Sequence, residues 1–377
     1  MTTTGITLSP DFGAVFPIRA VERELTGLLK VAAQVSDAPL RRVHMSNLVV
    51  YCDRMDTAEQ VAQQVPEIAA VHPARVLLLI RDDAASGNAV TAAVSVRFRS
   101  LERGQEACSE QITLHAPAGA ADRLPFLMRR FLIGDLPVNI WWSSTVPPPL
   151  AGPLLYELAE YAQQIIYDSL GWTDPPRGVA ATGAWLEQIE RHESGRWRVA
   201  SDLNWRRLKY WRRLVTQELN EAWASGAAES ITELTLEHGP HAIVQGWSFA
   251  AWLSQRLGWT LQSGTVRPGV EISWRFRTLK GEATVRVKRM SDGPPVLRRI
   301  RLACTIDSKP VVMNFAPEDE YRLGITLEGT DSAPRTVTVP PLTPAELIGR
   351  QLSDREPDAV FRQSMAVAQA MARSVVK

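Results

Sequence analysis

Apolar positions change rhythm along the chain, and the change divides it. Ile18, Val21, Leu25, Leu28 and Leu29 recur at three- and four-residue steps and predict a helix over 17–35. Residues 43–51 end in an unbroken apolar run, which suits a strand buried on both faces. A helical pattern over 56–70 and a second apolar run over 75–80 follow, so strand, helix and strand predict a parallel βαβ unit. Strands are expected over 89–98, 110–114, 135–142 and 164–168, with helices over 122–133 and 150–163. Turn residues cluster over 171–178, the expected linker. Beyond it come a helix over 183–193, a strand over 231–237 and an amphipathic helix over 241–257 that Gly258 is placed to end. The period then drops to two. Val270, Ile272, Trp274 and Phe276 alternate with polar residues, as do Ala283, Val285 and Val287, and then Ile300, Leu302, Cys304 and Ile306. That is the pattern of an antiparallel meander with one buried face. Two closing helices are expected over 344–352 and 357–375. The expected fold is an α/β N-terminal domain (1–170) with a mainly parallel sheet, then an α+β C-terminal domain (179–377) with an antiparallel meander.

One stretch stands out from this background. Residues 202–214 hold Trp205, Trp211 and a run of cations, and read as one helix continuing to Ala222. Leu208, Trp211, Val215, Leu219 and Ala222 form its apolar stripe, Arg206, Lys209 and Arg213 lie opposite, and Ser201 or Asp202 can cap its start. Such a helix is commonly a core helix with solvated cations. Trp and Arg are also the residues that dominate interfaces. Asp202, Trp205, Arg206, Arg207, Lys209, Arg212 and Arg213 are therefore the candidate partner-binding set. A second candidate is the outer face of the meander, with Arg275, Arg277, Arg286, Lys288, Arg299 and Arg301. Like charges opposite one another on paired strands cost stability. Either the register staggers them among Glu271 and Glu282, or an anionic surface meets them.

Composition narrows the classes. The 377 residues carry 42 Lys and Arg against 41 Asp and Glu, so no global field draws nucleic acid or an anionic membrane. Cys52, Cys108 and Cys304 are distant from one another, as expected of a reducing cytoplasm. Residues 1–10 lack a basic and an apolar segment, so no secretion signal is expected, and the longest aliphatic run, 76–80, is too short to span a bilayer. The histidines and cysteines show no zinc spacing, and no GxSxG, Walker A or GxGxxG motif follows a strand. No cofactor or metal is expected. Asp168-Ser169 ends a strand, where α/β sheets bind ligands, which leaves a sugar-phosphate enzyme as an alternative.

The long motif, Asp202-Leu203-x-Trp205-x-Arg207-Leu208-x-x-Trp211-Arg212-x-Leu214, resembles the signature of the OpcA family, bacterial assembly proteins of glucose-6-phosphate dehydrogenase. Shorter segments agree in order: Asn47-Leu48-Val49-Val50, His72-Pro73-x-Arg75-Val76, Asp135-Leu136-Pro137-Val138 with Trp141-Trp142, Asp168-Ser169, and Trp252-Leu253-x-x-Arg256-Leu257-Gly258-Trp259. The resemblance spans residues 40–305. It implies a cytoplasmic, non-catalytic partner of that dehydrogenase, an assembly factor and allosteric activator that favours the active oligomer. A scaffold without kinetic effect is the other reading it leaves open. Cyanobacterial members are associated with thioredoxin control through cysteines near the C-terminus; in this sequence no cysteine follows Cys304.

Overall fold

In the computed structural model, residues 12, 14–35, 40–41, 44–100, 106–190, 198–221, 224–340 and 342–376 are described. The remainder of the expected N-terminal arm, Val43, residues 191–193 and Ala222 lie outside them.

The first region runs β1 (Ala14–Phe16), α1 (Val21–Val35), β2 (Leu40–Arg41), β3 (Ser46–Cys52), α2 (Met55–Val71), β4 (Ala74–Asp82), β5 (Thr91–Ser100), β6 (Glu106–Pro117), α3 (Leu124–Phe131), β7 (Val138–Ser143), α4 (Pro153–Ala159), β8 (Gln164–Tyr167), α5 (Pro175–Glu190) and β9 (Val199–Asp202). These strands make a nine-stranded sheet in the order β1-β5-β6-β4-β3-β7-β8-β9, with β2 beside β6. From β6 to β9 every pairing is parallel; only β5 and β1 run against their neighbours. The chain moves outward through β3, β4 and β6, returns to the middle, and moves outward again through β7, β8 and β9. That is the doubly wound arrangement, with its switch point between β3 and β7. The expected βαβ unit is β3-α2-β4. Every residue of β3 is buried, as its apolar run requires. Residues 175–178 of the expected linker form the first turn of α5, and β9, from beyond that linker, completes this sheet.

The second region runs α6 (Leu203–Arg207), α7 (Lys209–Asn220), β10 (Glu233–His238), α8 (Ile243–Arg256), β11 (Thr260–Arg267), β12 (Glu271–Arg277), β13 (Glu282–Arg289), β14 (Leu297–Ile306), β15 (Lys309–Pro317), β16 (Arg322–Glu328), β17 (Arg335–Thr338), α9 (Pro344–Ser353) and α10 (Ala359–Arg373). Its sheet is eight-stranded, in the order β11-β12-β13-β10-β14-β15-β16-β17, and antiparallel except at β10-β13. Alternation places Ile272, Trp274, Phe276, Val285, Ile300 and Leu302 in the core. Trp274 packs on Trp247 of α8 at 5.1 Å between ring centroids and donates its Nε1–H to the Met371 carbonyl of α10 at 3.0 Å. Gly258 ends α8 with φ +66°.

The observed sheet is wider than the expected meander, with β11, β15, β16 and β17 extending it, and its centre is wired differently. β10, earlier in sequence, inserts between β13 and β14. The insertion interleaves charges that would otherwise repel: Glu233 meets Arg286 at 2.8 Å and Arg301 at 3.9 Å, and Glu237 meets Arg299 at 3.2 Å; in the β12-β13 register Glu271 likewise meets Lys288 at 3.8 Å.

Two apolar clusters hold the molecule together. One lies between α2 and a face of the first sheet, and α9 covers it with Leu347, Ile348 and Leu352. The other starts on the opposite face of that sheet and continues without a break through α5, α8 and α10 into the second sheet. The last helix, α10, thus ties the two sheets together through the second cluster.

Candidate functional site

The signature stretch is two helices rather than one. Asp202 caps α6, its carboxylate accepting the Asn204 N–H at 2.9 Å. The helix stops after Arg207. Leu208 (φ −74°, ψ −5°) turns the chain, and α7 starts at Lys209. The break follows from what α6 is tied to. Arg207 grips Asp168 with two bonds of 2.7 Å each, and Trp205 donates its indole N–H to Asp358 at 2.8 Å. With α6 fixed, α7 must swing to lay Trp211, Leu214 and Val215 on the core.

Around Asp202 the chain builds a closed polar knot. Its carboxylate accepts the Ser169 N–H at 3.0 Å and the Ser169 hydroxyl at 2.6 Å, and Asn204 donates to the same hydroxyl at 3.2 Å. Burial, reinforced by the charge of Asp168, pushes the Asp202 carboxyl up to about 7, against the pull of those donors. Asp168-Ser169 at the end of β8 and Asp202 at the end of β9 are thus one unit, locked from outside by Arg207.

The other cations of the signature are placed unevenly. Arg206 bonds Gln351 at 2.7 Å and Asp354 at 2.6 Å. Arg212 lies 3.5 Å over the Trp205 ring and donates to the Trp205 carbonyl at 2.9 Å; burial pulls its pKa down to about 10. Trp205 and Trp211 are buried, with Trp205 against Phe361. Lys209 and Arg213 are exposed. Within the candidate set, therefore, Arg206, Arg207 and Arg212 bind the protein's own acids and carbonyls, and Lys209 and Arg213 point outward. Arg275, Arg277 and Arg299 are exposed on the second sheet, and Arg286, Lys288 and Arg301 are half-buried among the carboxylates described above.

Sequence reading missed Gln351, Asp354 and Asp358. Asp358 caps α10 through the Phe361 N–H at 2.8 Å while its other oxygen takes Trp205. The one signal was local: Asp358 precedes an apolar periodic run, as a cap should. Nothing local could link it to a tryptophan 153 positions away.

The segments at Asn47, His72 and Asp135 lie at the opposite ends of the strands, where β3, β4 and β7 begin. Asn47 accepts the Ile133 N–H at 2.8 Å and donates to the Ile133 carbonyl at 3.0 Å. Ser46 bonds His72 at 3.0 Å. Buried Arg75 reaches Glu110 at 3.1 Å, Glu22 at 2.9 Å and the Phe131 carbonyl at 3.1 Å. These bonds fasten α1 and α3 to the sheet.

A doubly wound sheet invites a dinucleotide at its switch point, on a glycine-rich turn after the first strand and the start of the next helix. The turn here is Asp53-Arg54, followed at once by Met55 and Asp56. Asp53 accepts the Ser144 hydroxyl across the switch point, and the Asp56 carboxylate sits in the first turn of α2, where a pyrophosphate would have to lie. Two carboxylates and no glycine do not fit a dinucleotide.

Comparison of sequences points to one family. Residues 65–184 match a family model described as the glucose-6-phosphate dehydrogenase subunit N-terminal domain, and 198–365 match its C-terminal domain. The chain belongs to the OpcA family. A Nostoc punctiforme protein provisionally named OxPP cycle protein OpcA is 32% identical over 152 residues, covering 40% of this chain and 30% of that protein. The Synechocystis protein of the same name is 26% identical over 207 residues, covering 54% and 41%. The chain thus matches less than half the length of either OpcA relative. Among solved structures, an oxidoreductase from Sinorhizobium meliloti aligns with TM-score 0.47 and 11% identity, over 87% of this chain and 97% of that one. The Gal80p super-repressor mutant from Saccharomyces cerevisiae aligns with TM-score 0.49 and 10% identity, over 88% and 95%. Scores below 0.5 carry no conclusion about OpcA chemistry. Among the described residues, no helix is long and apolar enough to cross a membrane, and no group of three or more His, Cys, Asp or Glu could hold a metal.

Proposed function

We propose that this chain binds glucose-6-phosphate dehydrogenase in the cytoplasm as a non-catalytic assembly factor and allosteric activator, favouring the enzyme's active oligomer in the oxidative pentose phosphate pathway. The observation that carries the reading is the match, in order, of both domains described as subunit domains of that dehydrogenase. Two features of the site support a non-catalytic role. The switch point presents carboxylates where a nicotinamide dinucleotide would bind. Asp168, the strand-end carboxylate that a sugar-phosphate enzyme would use as a base, is held in a two-pronged bond by Arg207.

Docking is assigned to the exposed edge of α7. Lys209 and Arg213 meet acidic surface on the enzyme, while Asp202, Trp205, Arg206, Arg207 and Arg212 hold that edge in place. The basic face of the second sheet is the next candidate. An activator acts by binding the active state of its target more tightly than the inactive one, and about tenfold discrimination corresponds to about 1.4 kcal/mol. The coupling is reciprocal, so glucose 6-phosphate tightens the complex.

The test is co-elution of the purified chain with the purified dehydrogenase, with and without glucose 6-phosphate. The expected result is a larger assembly, formed at lower concentration when the sugar phosphate is present. Failure to co-elute at micromolar concentrations of both proteins would overturn the proposal.

A further inference from the structure

A pocket of about 560 Å³ opens at the start of α7, between Arg207, the loop leading into β14 and the turn joining β15 to β16. Its size falls within the range of about 300–1,000 Å³ typical of small-molecule sites. Neither the docking edge nor the polar knot explains it.

Its lining is chemically mixed. Tyr210 and Trp211 supply aromatic surface, Arg207 and Arg298 supply guanidinium groups, and Glu318 and Glu320 supply carboxylates. Arg207 spends two of its N–H groups on Asp168, and a guanidinium carries five, so donors remain for the pocket. Arg298 is placed by its surroundings. The Arg298 Nη1 lies 1.9 Å from where a Cβ would stand on Gly293, whose φ of +91° also favours glycine. The same loop presses its Pro294 carbonyl against Gly239, again 1.9 Å from a would-be Cβ, and the Leu297 N–H is fixed on Gln245 Oε1 at 2.5 Å. The wall that carries Arg298 is thus set by contacts to β10 and α8. Glu318 uses one oxygen to accept the Thr336 hydroxyl at 2.9 Å, which leaves its other oxygen free of that bond.

A bare anion would be drawn by the guanidinium groups and repelled by the carboxylates. An apolar ligand would strip water from all of them without replacement. A molecule with one strongly anionic end and several hydroxyls satisfies both. Its phosphoryl oxygens accept from the guanidinium groups, its hydroxyls donate to the carboxylates, and its ring C–H faces cover the aromatic surface. We propose that this pocket binds a phosphorylated sugar. Binding here is separate from docking: it requires this chain alone.

The experiment is calorimetric titration of the full chain, without the dehydrogenase, using glucose 6-phosphate, glucose and inorganic phosphate as probes. Glucose 6-phosphate is expected to saturate at millimolar concentration or below, with glucose and inorganic phosphate weaker by about tenfold or more. Arg298→Ala and Glu320→Gln are each expected to weaken glucose 6-phosphate by about tenfold, while Arg275→Ala on the second sheet leaves it unchanged. Should Arg298→Ala fail to fold, Glu320→Gln carries the test. The proposal is overturned if no saturable binding is seen in the millimolar range, if inorganic phosphate binds as well as the sugar phosphate, or if the folded pocket variants bind like wild type. No saturable binding by the wild-type chain, with activation of the dehydrogenase intact, would sink the pocket alone. Binding here without any complex would sink the docking proposal alone.

Discussion

Trp205 is where the interior and partner-facing roles of the signature separate most sharply. Its ring is buried against Phe361, its N–H is on Asp358, and Arg212 covers its face at 3.5 Å. Trp205→Ala removes a buried indole, which costs about 3–5 kcal/mol in transfer and cavity terms. It also leaves the Arg212 guanidinium without its π face, adding about 0.5–2 kcal/mol. The sum approaches the whole stability of a marginal domain, about 5–15 kcal/mol, so the variant should be strongly destabilised and poorly expressed. Trp205→Phe is gentler. It keeps a six-membered aromatic ring but removes the N–H and the rest of the five-membered ring, costing about 2–4 kcal/mol and several degrees of melting temperature. Urea melts and calorimetry measure both, and a double-mutant cycle with Asp358→Asn isolates the hydrogen bond. Dehydrogenase binding is then measured on Trp205→Phe at a temperature where it is fully folded, and should be near wild type. If Trp205→Ala is instead as stable as wild type and loses the complex, the indole faces the partner and the placement of α6 argued above is wrong.

Other outcomes follow from the same geometry. Lys209→Glu with Arg213→Glu should leave the melting temperature nearly unchanged, since both residues are exposed, and should weaken activation, with the wild-type interaction itself falling as salt is added; unchanged activation by the folded variant would move docking to the sheet face. Asp202 is protonated in the native chain up to about pH 7 but only to about pH 4 when unfolded, so the native state binds more protons across that window and stability should fall as pH rises through it. Asp202→Asn should flatten that slope in melts at graded pH. Burial raises the Cys304 thiol to about 11 and drives the Cys52 thiol higher still, so neither should react with a thiol reagent at neutral pH until the chain unfolds. Activation should likewise be indifferent to reduced thioredoxin; a difference that Cys108→Ser abolishes would contradict this.

The strands and helices that bury one continuous face were legible because periodicity is local. The unbroken run ending at Tyr51 announced a strand covered on both sides, and the alternation from Val270 to Phe276 announced one covered on a single side. Less could be read where pairing is distant. β10 reads as a strand, but no local feature says that it inserts between β13 and β14; only the charges it separates show why it does. β15, β16 and β17 escaped notice, partly because Gly324 and the bend at 318–321 interrupt the alternation. Cys108, expected in a loop, lies in β6, opposite Phe98 of β5. In the site, the two-faced pattern around Trp211 correctly marked the buried stripe of Leu208, Trp211 and Val215. Pattern alone could not show that Arg206, Arg207 and Arg212 would find partners in Asp354, Asp168 and the Trp205 ring, because two of those partners lie far off in sequence.

The most direct test of the central claim is the initial rate of glucose-6-phosphate dehydrogenase across a range of glucose 6-phosphate concentrations, with and without this chain. A higher rate at subsaturating substrate, saturating with added chain and absent when the chain is assayed alone, is the predicted result. A rate unchanged at every substrate level despite a demonstrated complex, or sugar-phosphate turnover that travels with the chain itself and dies with Asp168→Asn, would contradict it.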